Sequence, residues 1–227
     1  ALSARAEVAL IEAGKGLPDM PFTANAGVVL GDLFVPSRFT HEQRRGEEPL
    51  FERWFAEHGY RVQRLPGDLP FEGAGDALLD RTAPRLWMGH GHRTDAGCAE
   101  QLQDLLDIEV IPLRLVDPRF YHLDTCFCPL LNGVLMYYPA AFDEASRAAI
   151  EARVPADKRL AVAEADAEAF AGNAVDTGDV VLLNHASEPL ARALESFGYS
   201  AVQHPLGEFM KSGGSAKCLT LRLDEPR

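Results

Sequence analysis

Apolar and polar positions recur along this chain in one order. Two short apolar runs come first, then a segment with apolar residues every three or four positions, then one more short apolar run. Short apolar runs bounded by Gly, Asp and Asn read as buried strands, and the 3.6-residue spacing reads as a helix with one buried stripe. The order occurs four times. Residues 26–39 give a strand pair, followed by a helix over 49–58 and a strand over 60–65. The second unit has its pair at 77–88, helix at 96–106 and strand at 109–115. The third spans 126–138, 143–153 and 159–162 in the same roles, and the fourth 174–184, 187–197 and 199–204. Two copies resemble each other closely: Phe55-Ala56-Glu57-His58-Gly59-Tyr60-Arg61-Val62-Gln63-Arg64-Leu65-Pro66 and Leu194-Glu195-Ser196-Phe197-Gly198-Tyr199-Ser200-Ala201-Val202-Gln203-His204-Pro205. Each passes from a helix end through a Gly stop into a strand.

A period of roughly 50 residues lies in the range of propeller-like arrays. The ends of the chain supply a fifth, split unit: residues 218–223 alternate like its early strand and 6–13 like its last. The predicted class is therefore α/β, a five-bladed propeller of ββαβ repeats around a central active-site channel. Closing the ring would remove exposed strand edges. One domain over 1–227 is expected. Its split blade lacks most of its helix, with residues 1–4 as a tail, and the chain begins at Ala1. An N-terminal part is thus expected to be removed or to lie outside this numbering.

Composition narrows the function. The chain has 227 residues, 47% hydrophobic and 25% charged, with a net charge of −12. That balance excludes a nucleic-acid partner, which needs clustered Lys and Arg. It is compatible with a cationic small-molecule substrate. No apolar run reaches the ~18 residues of a membrane span, and no signal peptide is visible. Four irregularly spaced cysteines, Cys98, Cys126, Cys128 and Cys218, make no disulfide framework and favour a reducing cytoplasm. Cys126-Phe127-Cys128 lacks a second ligand pair, and Gly89-His90-Gly91-His92 reads as a loop, so no metal is expected.

Each unit is preceded by a short polar segment. These are Phe22-Thr23-Ala24-Asn25-Ala26-Gly27, Glu72-Gly73-Ala74-Gly75-Asp76, His122-Leu123-Asp124-Thr125, Gly172-Asn173-Ala174 and Gly213-Gly214-Ser215-Ala216-Lys217-Cys218. Singly each is a turn. In a pseudo-symmetric ring they face one axis and bring together a thiol, an imidazole and three carboxylates. A free thiol near pKa 8.5 needs a nearby cation or base to attack. His122 titrates in the right range for general acid/base work, and Glu72, Asp76 and Asp124 can hold a planar cation by paired hydrogen bonds. The set suits a guanidine or amidine carbon.

In these motifs the chain resembles the guanidino-group modifying enzymes of the pentein superfamily, which includes arginine deiminase, dimethylargininase, arginine dihydrolase and the amidinotransferases. The resemblance covers essentially residues 6–223 and includes His92-Arg93-Thr94. It implies Cys218 as nucleophile, His122 as general acid/base and Glu72 as the group that orients and charge-stabilises His122. It implies Asp124 as guanidinium clamp, Asp76 as support, Asn173 as an amide contact, and Arg93, with Arg38 second, as binders of a substrate carboxylate. It implies covalent catalysis through an amidino-thioether, with no cofactor. Asn25 stands where many deiminases carry Asp and so resembles the dihydrolases. An amide both donates and accepts, so Asn25 can hold a ureido intermediate. Hydrolysis of arginine or a close derivative is favoured over dimethylargininase, since an Asp clamp wants free N–H donors. An amidinotransferase or a non-catalytic pentein ranks lower. A homodimer is compatible with the resemblance.

Overall fold

The computed structural model describes residues 1–225. The expected domain range of 1–227 includes residues 226 and 227, which lie outside the described residues. The repeat of apolar runs folds into four three-stranded sheets of one design. In the first, β1 (Gly27–Leu30) pairs antiparallel with β2 (Leu33–Pro36), α1 (Glu48–Glu57) crosses over, and β3 (Arg61–Val62) returns parallel to β2. The second uses β4 (Ala77–Leu79), β5 (Arg85–His90), α2 (Cys98–Leu106) and β6 (Glu109–Arg114). The third uses β7 (Phe127–Pro129), β8 (Leu135–Tyr137), α3 (Glu144–Glu151) and β9 (Arg159–Ala161). A short helix, α4 (Glu164–Glu168), leads to the fourth: β10 (Val175–Asp176), β11 (Val180–Leu183), α5 (Glu188–Ser196) and β12 (Ser200–Gln203). One further turn of helix, α6 (Gly207–Met210), precedes the C-terminal segment.

Each crossover helix buries a pair of residues four apart: Phe51 and Phe55 on α1, Ser146 and Ile150 on α3, Leu190 and Leu194 on α5, with Cys98, Leu102 and Leu106 on α2. That spacing puts them on one helical face, over the sheet. The middle strand of each sheet is largely buried; the third strand is largely open in three sheets and half buried in β6. Side-chain caps begin two helices: Asp143 accepts from Ser146 N at 2.8 Å, and Ser187 from Leu190 N. Leu102 is fully buried, so Leu102→Ala is expected to cost about 2–5 kcal/mol in urea unfolding, from lost burial plus a cavity.

The fifth unit is not a sheet. Residues 6–13 and 218–223 contain no strand. A strand needs a hydrogen-bonded neighbour. Here Leu219 N and Thr220 N instead turn back to Ser215 O and Lys217 O, so Cys218 lies in a turn. The N-terminal run is largely exposed, with Leu10 at 84%. Both termini nevertheless lie between the fourth and first sheets. Arg5 pairs with Asp179 at 2.6 Å, and Ile11, Leu17, Leu221 and Leu223 pack on the first sheet's core. The C-terminal backbone joins both sides through Lys217 N to Asn173 O and Ala24 N to Cys218 O. Gly89 and His90, expected in a loop, end β5, because β6 extends alongside them as far as Arg114.

Candidate active site

A tight 3-10 turn stands immediately before the first strand of three sheets: Thr23–Ala26, Gly73–Gly75 and Leu123–Thr125. The second turn packs against the other two. Asn25 lies in the first, Glu72 and Asp76 flank the second, and His122 and Asp124 begin the third. Asn173 precedes β10 at the matching place in the fourth unit. All six are buried, as is Cys218 at 3% exposure. The thiol is therefore enclosed rather than displayed at a strand edge.

Asn173 ties the Cys218 segment to the rest. Its Nδ2 donates to Cys218 Sγ at 3.0 Å and to Asp124 O at 2.9 Å, while its Oδ1 accepts from Cys218 N at 3.1 Å. The Asp124 carboxylate lies 3.5 Å from Sγ through Oδ2. The two glycines ahead of Cys218 are sterically required. Gly213 has φ +86°, and a Cβ there would stand 2.3 Å from Tyr121 Oη; one at Gly214 would stand 2.2 Å from the Phe22 ring.

His122 Nε2 meets Glu72 Oε2 at 2.7 Å. Glu72 is further held by Thr40 N on Oε1 at 3.1 Å and by Arg93 Nη1 on Oε2 at 3.3 Å. Burial opposes ionisation of Glu72, but the His122 hydrogen bond and charge and the nearby Arg93 outweigh it, holding its pKa at about 2. Burial likewise opposes charging His122, yet Asp76 and Glu72 together raise its pKa above the ordinary value. Asp76 Oδ1 accepts from Leu123 N at 2.9 Å, and burial pushes its carboxyl up to about 6. Burial raises Asp124, and burial plus the Asp124 charge push the Cys218 thiol up. Burial and the neighbouring carboxylate both favour the protonated thiol. A planar cation between them would lower both pKa values at once.

Arg93 also lies over the Tyr121 ring, 4.7 Å from its centroid, and is among the more exposed of the polar groups. Arg38 is engaged elsewhere: its guanidinium donates to Leu69 O at 2.7 Å and Leu65 O at 3.0 Å, bracing the loop that leads to Glu72. The sequence reading missed Arg44. It is buried, paired with Glu47 through two hydrogen bonds of 3.0 and 2.7 Å, and it donates to Asn25 Oδ1 at 2.8 Å. In a run of charged residues, Glu42-Gln43-Arg44-Arg45-Gly46-Glu47-Glu48, it looks like solvated surface, and only Phe39 beneath its guanidinium (4.3 Å) sets it apart. Arg44 fixes the amide: because Oδ1 accepts its N–H, Asn25 Nδ2 points the other way. That nitrogen is buried with no partner among the described residues, and a Cβ at Gly75 would stand 2.3 Å from it and 3.2 Å from the His122 ring.

A family model described as N,N dimethylarginine dimethylhydrolase, eukaryotic, matches residues 3–224. The chain is 56% identical over 225 residues to the bifunctional arginine dihydrolase/ornithine cyclodeaminase AgrE of Nostoc sp. (strain PCC 7120), covering 99% of this chain and 32% of that protein. It is 39% identical over 216 residues to the N(G),N(G)-dimethylarginine dimethylaminohydrolase of Mycobacterium tuberculosis, covering 95% of this chain and 70% of that enzyme. The N-terminal domain of ArgZ is described as an arginine dihydrolase from the ornithine-ammonia cycle in cyanobacteria. Solved as a Cys-to-Ser variant bound to substrate, it superposes with a TM-score of 0.98 at 52% identity, covering 99% of this chain and 83% of that one. The chain spans about a third of the length of the bifunctional relatives it matches. The chain belongs to the N,N-dimethylarginine dimethylhydrolase family of guanidino-group modifying enzymes.

Proposed function

We propose that the chain is a cysteine-dependent arginine dihydrolase, acting on the guanidino carbon of free arginine and releasing two molecules of ammonia. The observation that carries this reading is the buried Asn25 Nδ2, an unpartnered donor beside His122 held in that orientation by Arg44. A guanidinium has only donors and offers it nothing. A ureido oxygen is an acceptor and would satisfy it.

Asp124 clamps the guanidinium, and the arriving cation lowers the thiol pKa, so that Cys218 releases its proton to solvent and attacks as a thiolate. Cys218 Sγ attacks the guanidino carbon, and the C–N bond to one nitrogen breaks as protonated His122 gives that nitrogen its proton. Water then attacks the amidino-thioether, His122 takes a proton from it, and the C–S bond breaks to leave a ureido product. In the second round Sγ attacks the ureido carbon while Asn25 donates to its oxygen, and the second ammonia leaves with a proton from His122. Hydrolysis of the thiocarbamate frees Sγ and a carbamate, which loses carbon dioxide to give ornithine. Arg93 binds the carboxylate end of the substrate, Asp76 supports His122, and Asn173 aligns Sγ with Asp124. Cleavage of methylated arginine is the second reading, favoured by the family to which the chain belongs.

The N-terminal and C-terminal segments between the fourth and first sheets occupy the place of a fifth blade in a ring of five. We place the protein in the cytoplasm, in keeping with its four free cysteines, and a homodimer is compatible with the family. No helix among the described residues is long and apolar enough to cross a membrane.

Incubation with arginine, citrulline and methylated arginines, with ammonia, dimethylamine and amino-acid products measured, tests the reading. Ornithine from arginine supports it, and dimethylamine as the preferred product overturns it. Glu72→Gln is expected to lower turnover by about 10²–10³-fold and to move the alkaline limb of the rate profile to lower pH, because His122 loses its carboxylate. The same variant carries a stability signature. A carboxylate held at about 2 stabilises the fold above its ordinary value of 4.5 and loses that contribution as pH falls toward 2. The stability gap between Glu72→Gln and the parent should therefore be present at pH 7 and shrink below pH 4.5, as read by urea unfolding.

A further inference from the structure

A cavity of about 70 Å³ lies next to the nucleophile segment, and none of the residues given roles above lines it. Its charged wall residues are Arg81, Asp176, Lys217 and Arg222. Three of these are matched. Arg81 forms a two-pronged pair with Glu225, Arg222 pairs with Asp224 at 2.6 Å, and Asp176 accepts from Leu131 N, Gly178 N and Tyr199 Oη. Lys217 is not: its Nζ is buried with no hydrogen-bond partner among the described residues. Its backbone N–H reaches Asn173 O at 3.4 Å, so it is anchored to the residue that joins Cys218 to Asp124.

We propose that Lys217 is a positioning residue for the nucleophile, a fixed cation that stabilises negative charge on Cys218 Sγ and on the Asp124 carboxylate. An ammonium with no carboxylate of its own keeps its field for its neighbours, and burial limits solvent screening. The direction agrees at three groups on separate elements: Lys217 counteracts the effect of burial on Asp124, on Cys218 and on Cys128 of β7. The titratable groups that act on Cys218 are Asp124, which opposes its ionisation, Tyr121, and Lys217, which favours it; His122 acts on Asp124. Lys217 thus offsets part of the Asp124 repulsion before any substrate cation arrives.

The inference rests on Cys218 being the nucleophile of the proposed reaction, but its test needs no turnover. Iodoacetamide alkylation of Cys218 is followed against pH without substrate, by peptide mass spectrometry. Thiolate Sγ displaces iodide and forms the S–C bond, so the rate reports the thiolate fraction. Lys217→Met is expected to raise the midpoint by about one pH unit, slowing alkylation roughly tenfold at a given pH below it. Lys217→Arg should restore the parent profile by restoring the charge. A charge effect vanishes above both midpoints, whereas altered access to the thiol persists at every pH. An unchanged midpoint in a folded Lys217→Met protein overturns the proposal; should that variant not fold, Lys217→Gln is read in the same way. Failure of the parent protein to consume arginine would overturn the proposed activity and leave this titration readable.

Discussion

Cys218→Ser is expected to lower ammonia release from arginine by about 10⁴-fold or more, with the fold and arginine binding retained. The size of the effect follows from the thiol's surroundings. Sγ is buried, receives one N–H from Asn173 and lies 3.5 Å from the Asp124 carboxylate. A serine hydroxyl fits that space and can take the same hydrogen bond, so packing changes little. Its alkoxide is far less accessible than a thiolate, and no pairing with His122 of the Ser–His kind is part of the site, since His122 Nε2 is held by Glu72. Ammonia assays on purified protein, with calorimetric titration of arginine into the variant, check both halves. If the variant keeps substantial turnover, Cys218 is not the nucleophile.

Asn25→Asp is expected to split the reaction. The carboxylate would keep the Arg44 hydrogen bond through one oxygen and present the other, an acceptor, where Asn25 Nδ2 now stands. An acceptor suits the guanidinium of the first round and opposes the ureido oxygen of the second. The first ammonia should still be released, while the second step slows by about 10²-fold or more, as expected when an unpaired buried polar contact replaces a matched one. Citrulline would accumulate, and ammonia per arginine would fall from two toward one. Equal losses in both steps would show that Asn25 acts by orienting the substrate as a whole.

The four ββαβ units were legible because their signals are local. Apolar pairs four apart, such as Leu190 and Leu194, mark a buried helix face, and Gly59 and Gly198, both at φ +87°, mark where a helix stops. The fifth unit failed for the opposite reason. Alternation in 218–223 is the same in a strand and in a turn followed by an extended tail, and only a hydrogen-bonded neighbour distinguishes them. The site was legible because matching junctions each carry an unusual polar residue. Arg44 was not, since nothing local tells a buried Arg paired to Glu47 from a solvated one. Arg38 shows the converse, an Arg near the site whose donors serve the carbonyls of Leu65 and Leu69. Lys217, next to Cys218 in sequence, is set apart only by an ammonium that is buried without a hydrogen-bond partner among the described residues.

The most direct measurement is the stoichiometry of arginine consumption by the purified chain: ammonia released and amino acid formed per arginine lost. The account predicts two ammonia and one ornithine, with both abolished in Cys218→Ser. One ammonia with citrulline as the end product, or turnover that survives in Cys218→Ser, would contradict it.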